Sequence, residues 1–317
     1  MSATNDASQS EDSSNPLIDC SCAAASTKKR DASPDTSEDD AASASDAAPN
    51  APSASRDAKR RRVEDPAPTS VPALEAIRQR LGAEPADLAR PDEAVRLFSQ
   101  RPGDSTCCYR TFMMLIFALC TLDEYRRALR ARGLIRVSGA VASVREIQGA
   151  IEEGWFWGFG IKGASLIWKR LKGAEFVGST GLDAWIGCIE AGAALRRAGV
   201  RANVVGFDGQ AVGATALSAA RDLVERLALY FDGRGDGVGW GMDLLPPALL
   251  AFDGHSRAVV GVSCGRLVLL DPAWRAPRLE CVSAEDLASR GDQFEILVVR
   301  PGVRDASTLP KDFTDTA

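Results

Sequence analysis

The stretch GDSTCCYRTFMMLIFALC, residues 103–120, sets two adjacent cysteines directly ahead of a long apolar run. Residues 109–122 are apolar on nearly all sides, which predicts a helix buried centrally in a core rather than lying on a surface. Cys107 and Cys108 then fall at the start of that helix. Free backbone N–H groups and the helix dipole stabilise an anion there and lower a thiol's pKa. The two cysteines are either small residues at the edge of a core, or one of them is a nucleophile.

The rest of the chain narrows that choice. Its 317 residues include 38 Lys and Arg, 43 Asp and Glu, 8 cysteines and one histidine. The first aromatic residue is Phe98. Ahead of it run Ser, Ala, Asp and Pro, a composition unable to bury enough apolar surface to offset chain entropy. Residues 1–70 are therefore expected to form a disordered tail, 71–303 one globular domain, and 304–317 a polar C-terminal tail. The net charge of −5 argues against a nucleic-acid-binding surface. The cluster Lys59-Arg60-Arg61-Arg62-Val63 reads as a nuclear localisation signal, so nucleus and cytoplasm are the expected compartments. The polar N-terminus has no signal-peptide core, and the longest apolar stretch, Phe112 to Leu122, is too short to cross a bilayer. No membrane partner is expected, and the cysteines should be reduced thiols. Cys20 and Cys22 have no histidine nearby, which makes a poor zinc site, and neither metal nor cofactor is expected.

Apolar spacing at Leu74, Ile77 and Leu81 predicts a short helix within 70–84, and PDEAVRLFSQ suggests another with Pro91 in its first turn. Ser143 and Glu146 form a capping box for a helix whose stripe is Val144, Ile147 and Ile151. Residues 181–199 and 216–233 read as helices ended by glycine, with the strand VRANVVGF between them. RAVVGV (257–262) and RLVLLD (266–271) read as a hairpin joined by the three residues Ser263, Cys264 and Gly265, with Gly265 in the left-handed place. FEILVVR is a final strand. Helices ahead of a mainly antiparallel sheet make an α+β fold.

His255 precedes the first hairpin strand and Asp271 ends the second. A three-residue loop pairs Arg257 with Asp271, so His255, two residues away, points to the same face. Such diagonal neighbours lie roughly 7–8 Å apart in backbone and within side-chain reach. A two-residue loop would put them on opposite faces. A histidine oriented by an aspartate serves a nucleophile, and the twin cysteines are better placed than the rest. Cys120 and Cys188 sit within helices, Cys264 in the turn and Cys281 beyond the Asp271 strand.

These residues also carry a resemblance. CCYRTFMML resembles the Cys-Gly-Tyr-Arg-Asn-(aromatic or aliphatic)-Gln-Met-Leu motif of the Ufm-specific peptidases and the related zinc-finger-containing ubiquitin peptidase. SVREIQGAIEEGW, DAWIGCIEAGAALRRAGVRANVVGF, DGHSRAVVGV and LVLLDPAW are similar to four further blocks of that family, in family order from about residue 98 to 300. The resemblance implies a papain-like cysteine peptidase fold with 71–303 as its catalytic domain. It implies Cys107 as nucleophile, three before Arg110, with His255 and Asp271 as partners. It also implies ubiquitin or a ubiquitin-like modifier and its conjugates as partners. In the Ufm-specific branch a histidine follows Asp-Pro. Here Ala273 follows Asp271-Pro272 and the histidine comes earlier, in Gly-His-Ser-Arg, which resembles the ubiquitin-directed branch. A deubiquitinase cleaving after ubiquitin's C-terminal glycine, polyubiquitin chains included, is thus the first expectation; a peptidase for a Ufm-type modifier, or a catalytically impaired binding module, is the alternative. The motif glycine, asparagine and glutamine are Cys108, Thr111 and Met113 here, and an oxyanion-site glutamine four before the histidine is Ala251. Lowered activity is the expected result. The cluster Trp155, Phe156, Trp157 and Phe159 is expected in the core. Glu190 is open between binding a modifier tail and satisfying an internal arginine.

Overall fold

The computed structural model describes residues 70–316 apart from 74–76, 78, 80, 82–85, 91–93 and 241–243. The expected tail up to residue 69, with Cys20, Cys22 and the basic cluster at 59–63, lies outside the described residues. The order of the main elements is β1 (Ser70–Pro72), β2 (Ala86–Leu88), β3 (Arg96–Phe98), α1 (Cys107–Leu119), α2 (Asp123–Arg130), α3 (Val144–Phe156), α4 (Ile161–Leu171), α5 (Cys188–Arg197), β4 (Val200–Asp208), α6 (Ala216–Phe231), β5 (Ala248–Phe252), β6 (His255–Ser263), β7 (Arg266–Leu270), β8 (Leu279–Val282), α7 (Ala284–Arg290), β9 (Gln293–Val303) and β10 (Thr314–Thr316).

The main sheet runs β10-β4-β9-β5-β6-β7-β8. Every pairing is antiparallel except β10 with β4. The expected α+β class and the Cys-bearing buried helix on a mainly antiparallel sheet are both present. α1 buries 11 of its 13 residues and lies against β3, β5 and β6. α5 packs on β4 and β9, and α3 packs on α5. Close approach at α3 and α5 is possible because Gly154 has no side chain: a Cβ there would meet the Ala193 carbonyl at 2.7 Å. The capping box holds: the Ser143 N–H donates to Glu146 Oε2 at 2.7 Å, and the Glu146 N–H donates to Ser143 Oγ at 3.4 Å.

Several elements differ from expectation. Ser70–Pro72, read as the beginning of a helix, is a strand paired with β3, whereas Ile77, Gln79 and Leu81 are helical as expected. Within PDEAVRLFSQ, where 91–93 lie outside the described residues, Arg96–Phe98 form β3 in place of the expected helix: Leu97 and Phe98 are buried and Phe98 meets the Phe117 ring of α1 at 6.1 Å. Tertiary pairing outweighs local helical spacing there. Residues 181–199 do not form one helix: a 3₁₀ turn (Gly181–Ala184) and an extended Trp185 precede α5. The polar 304–317 segment is not a free tail. It buries Leu309 and Phe313 and adds β10 to the sheet edge. Trp155 and Phe159 are core, whereas Phe156 is 87% exposed and Trp157 is partly so.

The β6–β7 connection also departs from expectation, with a consequence for the site. Ser263 pairs with Arg266, so the loop has two residues, Cys264 (φ 48°) and Gly265 (φ 72°). Left-handed backbone at both central residues is the geometry that suits the right-handed twist of a tight hairpin. Taken alone, this turn would put His255 and Asp271 on opposite faces. A bulge restores the register: the ladder runs Val262↔Leu267 and Gly261↔Val268, then Val259↔Leu269 and Ala258↔Leu270, leaving Val260 as the extra residue. The bulge falls where the other edge of β6 passes from β5 to β2. There the Ala89 N–H donates to the Val260 carbonyl at 2.8 Å, and a Cβ on Gly261 would meet the Asp87 carbonyl at 2.5 Å.

Candidate active site

Cys107 is the first residue of α1, and Thr106 before it makes no side-chain cap. The first amides of the helix are therefore left for an anion. His255 opens β6 immediately after a tight turn at Asp253 (φ 50°) and Gly254 (φ 64°). Asp271 follows β7. The three side chains, far apart in sequence, converge. His255 Nε2 lies 2.8 Å from Asp271 Oδ1, and the ring also hydrogen-bonds the Cys107 sulfur, which leaves Nδ1 as the nitrogen facing it. Two further donors hold Asp271: Arg257 Nε at 3.1 Å on Oδ2 and the Ala273 N–H at 2.8 Å on Oδ1.

Electrostatics follow from these contacts. Burial alone would push the Cys107 thiol up. Hydrogen bonding and charge from His255, then the Trp185 indole and the Ser256 backbone N–H, bring it below the ordinary thiol value. Burial would depress the His255 imidazole, but the Asp271 carboxylate and the Cys107 sulfur raise it to about 9. Burial also opposes ionisation of Asp271, and His255, the Ala273 amide and Arg257 together hold its carboxyl below the usual value. A lowered thiol beside a raised imidazole favours a thiolate–imidazolium pair over the neutral pair. Cys108 differs: it is fully buried and its thiol is pushed well up.

The signs give a pH prediction. The imidazolium needed as proton donor is present below about 9 and lost above it, and the thiolate is lost as pH falls through the lowered Cys107 value. The rate profile of kcat/KM should be a bell with its alkaline limb near 9, measured on a small tail-derived ester or amide. Stability follows the same signs. The Asp271 contribution is present at neutral pH and lost on acidification, while that of His255 is present below its ordinary value and lost as pH rises through about 9.

Trp185 and Ser256 were not singled out from sequence, although both lie inside the quoted motifs. The Trp185 ring lies against the turn: a Cβ on Gly254 would meet it at 2.9 Å. Its backbone carbonyl is held by Arg170 at 2.8 Å. A cleft of about 510 Å³ opens beside it, lined among others by Arg170, Trp185, Gly187, Ala251, Asp253 and His255. Ala251 stands on β5 opposite both Ser256 and Glu295, where a longer side chain would reach the cleft. If a glutamine amide completes an oxyanion site from that position, Ala251→Gln should raise kcat about tenfold or more with KM little changed. Steady-state kinetics of the variant check this.

Glu190 does not face the cleft as a tail-binding group. It is buried, and its Oε2 accepts the Gly187 N–H at 2.7 Å, capping its own helix. Glu295 caps the same end by accepting the Cys188 N–H at 3.1 Å. Burial, then the neighbouring Glu190, pushes Glu295 up to about 7. Among the described residues no cluster of three or more His, Cys, Asp or Glu is arranged to hold a metal ion, and no helix is long and apolar enough to cross a membrane.

A sulfur whose ionisation is favoured by a neighbouring imidazole at the head of a core helix, with the imidazole's own partner on the same hairpin, is the working arrangement of a cysteine-type peptidase. The sequence model of Peptidase family C78 matches residues 99–297, and the chain belongs to that family. Zinc finger-containing ubiquitin peptidase 1 of Homo sapiens is 29% identical over 187 residues, covering 57% of this chain and 29% of that protein. Its counterpart from Mus musculus is 28% identical over the same length. The chain thus spans under a third of the length of these curated relatives. The crystal structure of UfSP from C. elegans aligns with 76% of this chain and 39% of that one, at a TM-score of 0.44 and 14% identity.

Proposed function

We propose that this peptidase cleaves the bond after the C-terminal glycine of a ubiquitin-like modifier, with a Ufm-type modifier first and ubiquitin second. The observation that carries the reading is steric. Cys107 is only 3% exposed and lies behind His255 and Trp185, two of its hydrogen-bond partners, which line the cleft together with the Asp253–Gly254 turn. A thin, side-chain-free tail reaches such a sulfur; a bulky peptide does not. In the proposed cycle the Cys107 thiolate attacks the glycine carbonyl and the oxyanion takes the first amides of α1. The His255 imidazolium protonates the departing amine, leaving a thioester. The neutral imidazole then takes a proton from water as the water adds to the thioester, and the thiolate departs. Asp271 keeps the ring turned and stabilises its charged form.

The Ufm-type reading is supported by the match to a family that the quoted motifs share with Ufm-specific peptidases. Ubiquitin is favoured by one specific observation: the histidine precedes the aspartate, in Gly254-His255-Ser256-Arg257, and Ala273 stands after Asp271-Pro272. A panel of C-terminal electrophile probes, one built on a Ufm-type modifier and one on ubiquitin, separates the two by intact mass. A Cys107 adduct with the Ufm-type probe supports the first reading, and an adduct with ubiquitin alone replaces it with the second. No adduct with either removes both. The basic cluster at Lys59–Val63 is proposed to direct nuclear entry, and a fluorescent fusion whose distribution is unchanged after Lys59–Arg62 become alanine would overturn that.

A further inference from the structure

Helix α4 is held to the body by Gly163, Ala164, Ile167 and Leu171. Gly163 permits this seating, since a Cβ there would fall 2.1 Å from Glu190 Oε1. The opposite face is exposed and unusual. From Gly154 to Ala174 there is no acidic residue, in a chain whose acids outnumber its bases 43 to 38. Lys162, Leu166 and Arg170 follow each other at intervals of four and so form one stripe. Lys169 stands beside it. Arg170, at the end of the stripe, lines the cleft and holds the Trp185 carbonyl. Leu182, on the 3₁₀ turn against which α4 packs, adds a second apolar point. Leu166 is 64% and Leu182 66% exposed, with Asp183 the acidic neighbour of the second.

We infer that this stripe is the docking surface for the folded body of the modifier, and that the modifier presents to it an apolar side chain bordered by carboxylates. The inference rests on the modifier-peptidase reading and deepens it. Continuity selects the occupant: a tail threaded toward Cys107 past Arg170 and Trp185 brings the domain it belongs to against the same wall. Charge selects its chemistry: Asp312 faces Lys162 and the buried Glu190 faces Arg170, but the stripe stays net basic with Lys169, so it repels a basic surface and attracts an acidic one. Leu166, exposed between Lys162 and Arg170, supplies the apolar centre that such interfaces bury.

The test uses the full chain, with a Ufm-type modifier–aminocoumarin conjugate, ubiquitin–aminocoumarin and a short aminocoumarin peptide of the same modifier's tail. Leu166→Asp and the pair Lys162→Glu, Lys169→Glu should each lower kcat/KM on a folded conjugate at least tenfold while leaving the tail peptide within twofold. Added salt should weaken only the folded conjugate. Equal losses on both substrates, or none on the folded one, would overturn the docking surface. Binding of the Cys107→Ala protein to the immobilised modifier is measured in parallel with and without Leu166→Asp. If wild type turns over nothing, the function fails while docking is still judged by that binding. Leu166-dependent binding to phosphatidylserine vesicles, or a Leu166-dependent dimer, with modifier binding unchanged, would assign the stripe to another occupant and refute the inference.

Discussion

Cys107→Ala is expected to lower turnover by about 10⁵–10⁶-fold, the scale on which nucleophile removal acts in enzymes of this kind. Cys108→Ala should lower it by less than about tenfold. The adjacent thiols differ by environment, not by type. The Cys107 sulfur meets the imidazole, an indole N–H and a backbone N–H, all of which favour its anion. Cys108 is turned into the core, where burial and the Cys107 charge oppose its ionisation and the Ser256 hydroxyl is a single compensating donor. Stoichiometric alkylation at neutral pH, mapped by peptide mass, checks the same difference without a substrate: Cys107 should react first and Cys108 only on unfolding. Preferential labelling of Cys108 in the folded protein would remove the assignment of the nucleophile.

Asp271→Asn is expected to lower kcat/KM by about 10³–10⁴-fold while the fold persists. The amide conserves size but carries no charge, and its N–H₂ end can face the imidazole in the wrong sense. The carboxylate is also what raises His255 and what Arg257 and the Ala273 N–H converge upon. Its loss should therefore move the alkaline limb of the rate profile well below 9, and Cys107 alkylation at pH 7 should slow as the ion pair weakens. A merely structural aspartate would leave the limb in place while melting temperature fell. Thermal unfolding and the pH profile, measured on one preparation, distinguish the two.

Much of this site is readable in one dimension because its parts are local. A cysteine at the head of an apolar run becomes the first residue of a buried helix whatever surrounds it, since the apolar residues on every side leave that helix nowhere else to go. The Ser143–Glu146 box and the glycine stops are likewise set within a few residues. The turn before His255 was also legible: Asp253-Gly254 is a strong two-residue hairpin signal, and it makes β5, unrecognised in the sequence reading, the partner of β6. Trp185 was hidden for a different reason. An extended residue between a 3₁₀ turn and a helix has no periodicity to betray it, and its role comes from a contact with Gly254 some seventy residues away.

The sequence alone settled the chemistry on offer: one histidine, an aspartate at the end of a neighbouring strand run, and thiols poised at a helix start. Tertiary structure alone decided that they meet. The right register was reached through the wrong loop, because an expected three-residue connection and the observed two-residue turn plus the Val260 bulge count to the same sum. That bulge falls where β6 changes partners from β5 to β2 along one edge, and the β2–β6 pairing joins segments over 150 residues apart that no local pattern encodes.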